Sequence, residues 1–422
     1  MLQNPFYLFF TACLGLFFWA GYRRIFAEVP YRHSLWSFLG EECAPGQRRA
    51  IVRALLAGLP GDRGTMAWIL TMAALSLGGA GALFWYLVFS LLWLHPLGAL
   101  AGLWRYYQPG CGGRVELSAL LEGILCRKRA RARPGLGRLL RWLQTLALCG
   151  MLPLLSRILA SPSAPARGAG LLPWLVVLLA LWLLCRLVGE RGETVLSLLF
   201  LLLLAAALLG NLPNLIPAVK LVLLDAFDRS RFLFSLSGAG LAAALQAGGA
   251  AGCGGALLRT LSAREEGPSF AHPAQAAFYE ELRGLLQLTV QLALGLLFLC
   301  ARLVPEDNRW PQTCLWAFLC LFGLLWLGRA VRALARPEGR RCGLLCLGLV
   351  GAAAVWDIWK GTALLPGLSG GAAGLASLAL AGLLLFDSNW YFLLLEHYRD
   401  VHIWHVTPHP DLMQTEMERK NM

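Results

Sequence analysis

Two glycine-rich breaks in apolar sequence are the first candidates for a binding site. One, Pro60-Gly61-Asp62-Arg63-Gly64-Thr65-Met66, precedes an apolar block, and its glycines permit an unwound segment whose free backbone groups could bind a substrate. The same residues also suit a loop-to-helix junction with Asp62 near the N-cap. The other is the stretch from Gly238 to Gly255. Because Gly weakens a helix interior by about 1 kcal/mol relative to Ala, this stretch predicts either a broken helix or tight packing of small residues.

Isolated polar side chains inside apolar blocks are the second set of candidates, since polar groups are costly in lipid. Interhelical hydrogen bonding is the ordinary role of such residues, and lining a polar path is the alternative. They are Gln144, Thr145, Ser156 and Arg157 in one block, and Gln287, Thr289 and Gln291 in another.

The sequence has no pattern typical of an enzyme or a metal site. It contains no phosphate-binding loop, no H-E-x-x-H and no G-x-S-x-G at a predicted strand-to-helix turn. Its 12 cysteines include no C-x-x-C pair, and no fixed helical spacing unites all four histidines after residue 396. The acidic pairs Glu265-Glu266 and Glu280-Glu281 fall in a predicted cytoplasmic loop, where we expect them to be solvated. The sequence therefore predicts no enzyme, no bound metal and no cofactor.

The composition is that of a membrane protein. Of 422 residues, 58% are hydrophobic and 14% are charged, whereas soluble globular chains carry about 25% charge. The blocks are apolar on all sides and long enough for helices that cross a bilayer, at roughly 20 residues each. A transmembrane β-barrel would instead alternate apolar and polar residues. The net charge of +13 is concentrated in short loops, which fits membrane topology and argues against nucleic-acid binding.

The apolar blocks predict an all-α membrane protein with about 11 transmembrane helices. A single transmembrane domain would occupy residues 1–386, and a solvated cytoplasmic tail residues 387–422. The segment from Asn211 to Arg231 is predicted to be an external loop with a short interfacial helix. The predicted spans are near 5–21, 64–79, 81–103, 139–160, 170–188, 193–212, 233–257, 282–304, 311–332, 342–363 and 367–386.

The distribution of charge orients these spans. Arginine and lysine are concentrated in the loops after the first, third and ninth spans, while the loop after the eighth reads Glu306-Asp307-Asn308-Arg309. Because basic loops face the cytoplasm, the N-terminus is predicted to be outside and the C-terminus inside, as in a multi-pass protein of a bacterial plasma membrane. The glycine-rich breaks then stand at equivalent places in two five-helix halves. Matching breaks of this kind are typical of an inverted-repeat transporter that binds its substrate near the midplane.

Several motifs, in order along nearly the whole chain, resemble the alanine or glycine:cation symporter family, the sodium:alanine symporters. The stretch Gly78-Gly79-Ala80-Gly81-Ala82-Leu83-Phe84-Trp85 resembles the family's G-G-P-G-A-hydrophobic-F-W, and Gly64-Thr65 resembles the start of its G-T-G-N. Asp225-Ala226-Phe227, His272-Pro273 and Trp356-Asp357 are similar to later landmarks of the family. The resemblance implies eleven helices, with a leucine-transporter-type inverted repeat over helices 2–11.

The chain departs from that family at its polar positions. The family's G-T-G-N would place a glycine at Met66 and an asparagine at Ala67, and its S-N-E-A-G-x-G fits Gly248 to Gly254 with the polar residues replaced. The resemblance therefore implies a diverged member whose sodium site is altered or absent. It carries over Gly64, Thr65 and Gly252 as substrate-binding positions, where Thr65 would offer a hydroxyl and the glycines would leave backbone room.

The function implied by the resemblance is secondary transport of a small neutral amino acid, alanine or glycine, by alternating access. Sodium stays open as the coupling ion, and the lipid bilayer is the other partner. The alternative is a non-transporting membrane scaffold or partner subunit that keeps the fold. The lost polar motifs favour that alternative, and the kept glycines disfavour it. A dry, filled centre would favour the scaffold, and a cavity lined by Thr65 and the Gly252 region would favour transport.

Overall fold

The computed structural model describes residues 1–26, 45–59, 64–107, 192–227 without 193, 240–261, 273–303 and 364–399 without 387, together with single residues between 139 and 183 and between 315 and 360. The regular elements within these ranges are helical. They are α1 (Pro5–Phe26), α2 (Pro45–Gly58), α3 (Gly64–Gly78), α4 (Ala82–Tyr107), α5 (Thr194–Gly210), α6 (Leu212–Ala226), α7 (Leu241–Leu261), α8 (Pro273–Leu303), α9 (Leu364–Phe386) and α10 (Ser388–Tyr398).

Within the described ranges, the helices α1, α4, α7, α8 and α9 are each long and apolar enough to cross a membrane. The consecutive helices α5 and α6 pass the same test as a pair bent by 86°. These helices confirm the prediction of an all-α, multi-pass membrane protein. The predicted spans near 139–160, 170–188, 311–332 and 342–363 lie outside the described residues, apart from isolated helical positions. The total of eleven spans, the inverted repeat and the orientation stay predictions.

The chain turns sharply between α3 and α4 at Gly78-Gly79-Ala80-Gly81, where the sequence predicts a boundary between two spans. Gly79 has a φ of 70°, a left-handed conformation that glycine adopts without steric cost. A Cβ at Gly81 would lie 2.5 Å from the backbone nitrogen of Ala226 in α6. One glycine is therefore required by the turn itself, and the other by the helix that packs on the turn.

Small residues bring α4 and α8 together as an antiparallel pair. Gly102 near the end of α4 faces Ala276 and Ala277 at the start of α8, and Gly295 near the end of α8 faces Leu83 at the start of α4. Helices in lipid gain stability from this kind of close backbone approach, since van der Waals contact replaces the hydrophobic effect between them. The pairing fixes which face of α8 is turned toward the bundle.

The glycine-rich seventh span is a continuous helix over its described part, α7. Gly248 and Gly252 lie against the backbone of α4, and a Cβ at Gly252 would lie 2.7 Å from the carbonyl oxygen of Tyr86. Of the two alternatives for this stretch, the structure shows tight packing and not a broken helix between Leu241 and Leu261. Contact with α4 compensates for the low helix propensity of the glycines.

α6 packs across the turn between α3 and α4. The Gly81 backbone N–H donates to Asp225 Oδ2 at 2.8 Å, and Trp85 Nε1 donates to the carbonyl oxygen of Ala226 at 3.1 Å. The structure thus confirms a short helix in this segment, at Leu212–Ala226, while its position outside the membrane and at the interface stays a prediction. It also joins two of the stretches that carry the family resemblance.

α10 lies in the segment that was predicted to be a solvated tail, and it packs against the bundle instead. Tyr391, Leu394 and Leu395 are buried, and the Tyr391 hydroxyl donates to the carbonyl oxygen of Pro96 in α4 at 3.1 Å. The spacing of the three buried residues gives α10 one apolar face, which explains why it packs. Residues 400–422 lie outside the described residues.

Candidate functional site

A stripe of polar side chains on α8 faces the bundle. Glu280, Arg283, Gln287 and Gln291 are three or four residues apart and therefore share one face of the helix, and each is at most 5% exposed. α8 begins at Pro273, so the prediction that Glu280 lies in a solvated loop is wrong. Buried polar and ionisable groups in a membrane span are candidates for a functional site.

A cavity of about 40 Å³ lies between α4, α7 and α8. Its polar lining consists of Arg259 and Thr260 from α7 with Glu280 and Gln287 from α8. The stretch of α4 from Trp93 to Ala101 closes the apolar side. A cavity of this size holds about three water molecules and is smaller than an amino acid. A substrate of that size would therefore require the three helices to move apart.

The end of α2 fixes two side chains of the α8 stripe. Gln287 Nε2 donates to the carbonyl oxygen of Gly58 at 2.8 Å. A Cβ at Gly58 would lie 2.5 Å from a guanidinium nitrogen of Arg283, so glycine leaves the space that this side chain occupies. Arg283 is 1% exposed and has further contacts in the protein, so its side chain is held within the bundle and away from solvent.

The α7 side of the cavity is held by bonds to the helix's own backbone. Arg259 Nε donates to the carbonyl oxygen of Gly255 at 3.3 Å, and Thr260 Oγ1 donates to that of Ala256 at 2.9 Å. The Thr260 oxygen still has lone pairs with which it can accept a hydrogen bond from a ligand. Both side chains therefore present polar atoms to the cavity without a change of rotamer.

The cavity brings a cation and an anion to one site of low polarity. Arg259 is 6% exposed and Glu280 is 5% exposed, and interactions between charges strengthen as the dielectric constant falls. A small zwitterion carries the same two charges. Its carboxylate would suit the planar donor fork of Arg259, and its ammonium group would suit the Glu280 carboxylate.

The polar stripe continues from the cavity toward the α4–α7 contact. Tyr86 of α4 donates its hydroxyl to Gln291 Oε1 at 2.5 Å, one turn beyond Gln287 on α8. Gln291 Nε2 is buried and has no hydrogen-bond partner among the described residues. The Tyr86 hydroxyl also lies 3.6 Å from the position of a Cβ at Gly255. This pair connects the cavity to the glycine-rich face of α7.

Among the positions predicted to bind substrate, Gly252 lies on a helix that lines the cavity. Gly64 and Thr65 form the first turn of α3. Gly252 lies one turn before Ala256, which lines the cavity, but in this structure its open face is filled by Tyr86 and the following residues of α4. A role for Gly64, Thr65 and Gly252 in binding substrate stays a prediction.

The charged residues of the cavity are absent from the predicted site because they flank the ends of predicted spans. Arg259 follows the predicted end at 257, and Glu280 precedes the predicted start at 282. Of the three polar candidates predicted on α8, Gln287 and Gln291 share the buried face, since they are four residues apart. Thr289 is exposed, and its hydroxyl donates to the carbonyl oxygen of Leu285 at 3.0 Å. A signal was therefore present in the spacing of the polar residues.

No protein-family model matches the sequence, and no curated protein is significantly similar to it. Among solved structures, the chain is similar to point variants of a manganese transporter from Eremococcus coleocola. One comparison has a TM-score of 0.43 at 13% identity, and covers 93% of this chain and 94% of the other. A second has a TM-score of 0.42 at 14% identity with the same coverage. A likeness at this level does not assign a family, and the resemblance to the sodium:alanine symporters stays a prediction.

Proposed function

We propose that the chain is a secondary transporter of a small neutral amino acid, such as alanine or glycine. The observation that supports this most directly is the cavity between α4, α7 and α8, which is lined by the oppositely charged Arg259 and Glu280. Both lie in helices that are long and apolar enough to span a membrane. Charged side chains within membrane spans commonly mark substrate or ion sites, and Arg259 and Glu280 could bind the two charges of a zwitterion alongside their other contacts in the protein.

Alternating access at this cavity would use the proline inside α4. Pro96 lies inside α4, and its missing N–H leaves the backbone bond to Leu92 unmade, which weakens the helix at that point. Cavity-lining residues stand on both sides of it, at Leu94 and Leu97. Bending at Pro96 would therefore move the apolar wall relative to Arg259 and Glu280 and open the cavity to a substrate.

Exchange of labelled alanine in proteoliposomes tests the proposal. Vesicles loaded with unlabelled alanine should take up labelled alanine, and Arg259→Gln and Glu280→Gln should each reduce the rate by about tenfold or more. Glu396→Gln removes an exposed carboxylate on α10 and should exchange at the wild-type rate. If either charge variant fails to fold, the milder Thr260→Val provides a second test. It removes one hydroxyl from the cavity and should raise the KM. The absence of alanine and glycine exchange in the wild type would refute the proposal.

The second candidate is a non-transporting scaffold or partner subunit. It is favoured by the α4–α7 contact, because Gly252 packs on the Tyr86 backbone with no space for a substrate at that position. A scaffold would fold stably and show no exchange of alanine or glycine, and substitutions at Arg259 and Glu280 would change stability alone. Gly252 packs against α4 at Tyr86, and Pro96 lies further along the same helix. Rigid packing at the first position is therefore compatible with bending at the second.

A further inference from the structure

We propose that His95, Glu281 and Tyr22 form a proton-binding site that couples transport to a proton gradient. The inference rests on the proposed function and names its coupling ion. The three side chains come from three membrane-spanning helices, α4, α8 and α1. An ionisable cluster in such a position is costly, and in membrane transporters such clusters commonly serve as proton or ion sites.

The Glu281 carboxylate joins the three helices. Its Oε1 accepts a hydrogen bond from the Tyr22 hydroxyl at 3.0 Å, and its Oε2 lies 3.2 Å from His95 Nδ1. The Tyr22 and His95 rings stack at 6.0 Å between centroids and 18° between planes. Gly98, almost one turn from His95, makes the approach possible, since a Cβ there would lie 2.8 Å from Glu281 Cγ.

The arrangement has one open position for a proton. A carboxylate only accepts hydrogen bonds, so Nδ1–H of His95 donates to Oε2 and Nε2 keeps a lone pair. An incoming proton binds to Nε2 and converts the neutral imidazole to imidazolium, and release reverses the step. Without the proton the His95 and Glu281 pair carries one negative charge, and with it the pair is neutral overall. Proton binding therefore removes the net charge of the pair.

The surrounding charges leave His95 and Glu281 as the proton-exchanging pair. On α1, Arg23 acts electrostatically on His95 and also lies over the Trp19 ring at 5.6 Å. On α10, burial and the Glu281 carboxylate raise the pKa of Tyr391 well above its usual value, so its hydroxyl stays protonated. The side chain of His95 is 46% exposed and that of Glu281 is 21% exposed. The pair is therefore within reach of protons from outside the packed core.

The proton site and the amino-acid cavity are formed by the same segments of α4 and α8. Glu280 faces the cavity, and the next residue, Glu281, binds His95. On α4, Leu94 and Leu97 line the cavity while His95 lies between them, directly before Pro96. A change in the His95–Glu281 interaction on protonation would therefore act on the segment of α4 that must bend to open the cavity.

The test measures exchange and accumulation separately in liposomes containing the full-length protein. Exchange needs only alternating access, whereas accumulation of alanine against its gradient, driven by an acidic exterior, needs proton coupling. We expect the wild type to show both and a protonophore to abolish accumulation. Glu281→Gln and His95→Gln should each lose pH-driven accumulation by about tenfold or more while still exchanging alanine, and the exposed Glu396→Gln should resemble the wild type. Two variants on different helices keep the test valid if one of them does not fold.

The outcomes separate the two proposals. Alanine exchange without any response of accumulation to the pH gradient would overturn the proton site and leave the proposed function in place. Wild-type coupling in both Glu281→Gln and His95→Gln would also overturn it, because the proton would then bind elsewhere. A wild-type protein that exchanges neither alanine nor glycine would overturn the proposed function, and the coupling site with it.

Discussion

Substitution of single glycines on α7 should separate tight helix packing from a general need for glycine. Gly252 and Gly255 are three residues apart in the same helix, and both are buried. A Cβ at Gly252 would lie 2.7 Å from the Tyr86 carbonyl oxygen and 3.0 Å from the Ser90 nitrogen, both backbone atoms that cannot rotate away. At Gly255 the nearest atom, the Ala67 Cβ, would be 3.6 Å away, which is ordinary contact.

The expected difference follows from two terms. Replacing glycine by alanine inside a helix stabilises it by about 1 kcal/mol, and this gain is common to Gly252→Ala and Gly255→Ala. Overpacking of a close contact costs about 1–3 kcal/mol, and only Gly252→Ala incurs it. Gly252→Ala should therefore be less stable than Gly255→Ala by about 1–3 kcal/mol, and Gly255→Ala should be at least as stable as the wild type.

The assay is thermal unfolding of the purified variants in one detergent, followed by tryptophan fluorescence. At an unfolding entropy of about 2.1 cal/mol/K per residue, 1 kcal/mol shifts the melting temperature of a 422-residue chain by about 1 °C, so the two variants should differ by about 1–3 °C in the stated order. Equal melting temperatures, or a lower one for Gly255→Ala, would refute the packing of α4 against α7 at this level. Such a result would also restore Gly252 as a position with free space for a substrate.

Three further substitutions test other contacts by the same melting assay. Asp225→Ala removes the acceptor of the Gly81 N–H and should cost about 1–2 kcal/mol, whereas Asp225→Asn keeps a side-chain oxygen and should cost less than half of that; equal losses would contradict the bond. Tyr86→Phe leaves the buried Gln291 amide without its donor and should cost about 1–3 kcal/mol. In a double-mutant cycle, adding Gln291→Leu should recover part of that loss. Strictly additive losses would contradict the hydrogen bond between the two side chains. Thr289→Val, on the exposed side of α8, should change stability by about 0.5 kcal/mol or less, and a larger loss would show that this face is packed.

The helices of this fold could be predicted from the sequence because their main signal is length and hydrophobicity. The predicted boundary at Gly78-Gly79-Ala80-Gly81 and the short helix after Asn211 are both present in the structure. Both depend on local chemistry, namely the freedom of glycine at positive φ at Gly79 and the suitability of proline for the first turn of a helix at Pro213. Local signals of this kind are readable without knowledge of what packs nearby.

The contacts that define the candidate site could not be predicted in the same way. Arg259 lies in the last turn of α7 and Glu280 about two turns into α8, and only the packing of α4, α7 and α8 brings them to one cavity. The role of the α7 glycines was also undecided, because a broken helix and a tightly packed one have the same composition. The structure shows the tightly packed helix, because Gly252 packs against the backbone of Tyr86 in α4.

The most direct test of the account is whether the cavity recognises both charges of a small amino acid. The melting temperature of the wild type would be measured with alanine, glycine, propionate and ethylamine, each in sodium and in potassium. A ligand at about 100 times its Kd stabilises the folded state by about 2.7 kcal/mol. The account predicts a rise with alanine or glycine and none with propionate, which lacks the ammonium group, or ethylamine, which lacks the carboxylate. No rise with either amino acid, or an equal rise with the single-charge compounds, would contradict it.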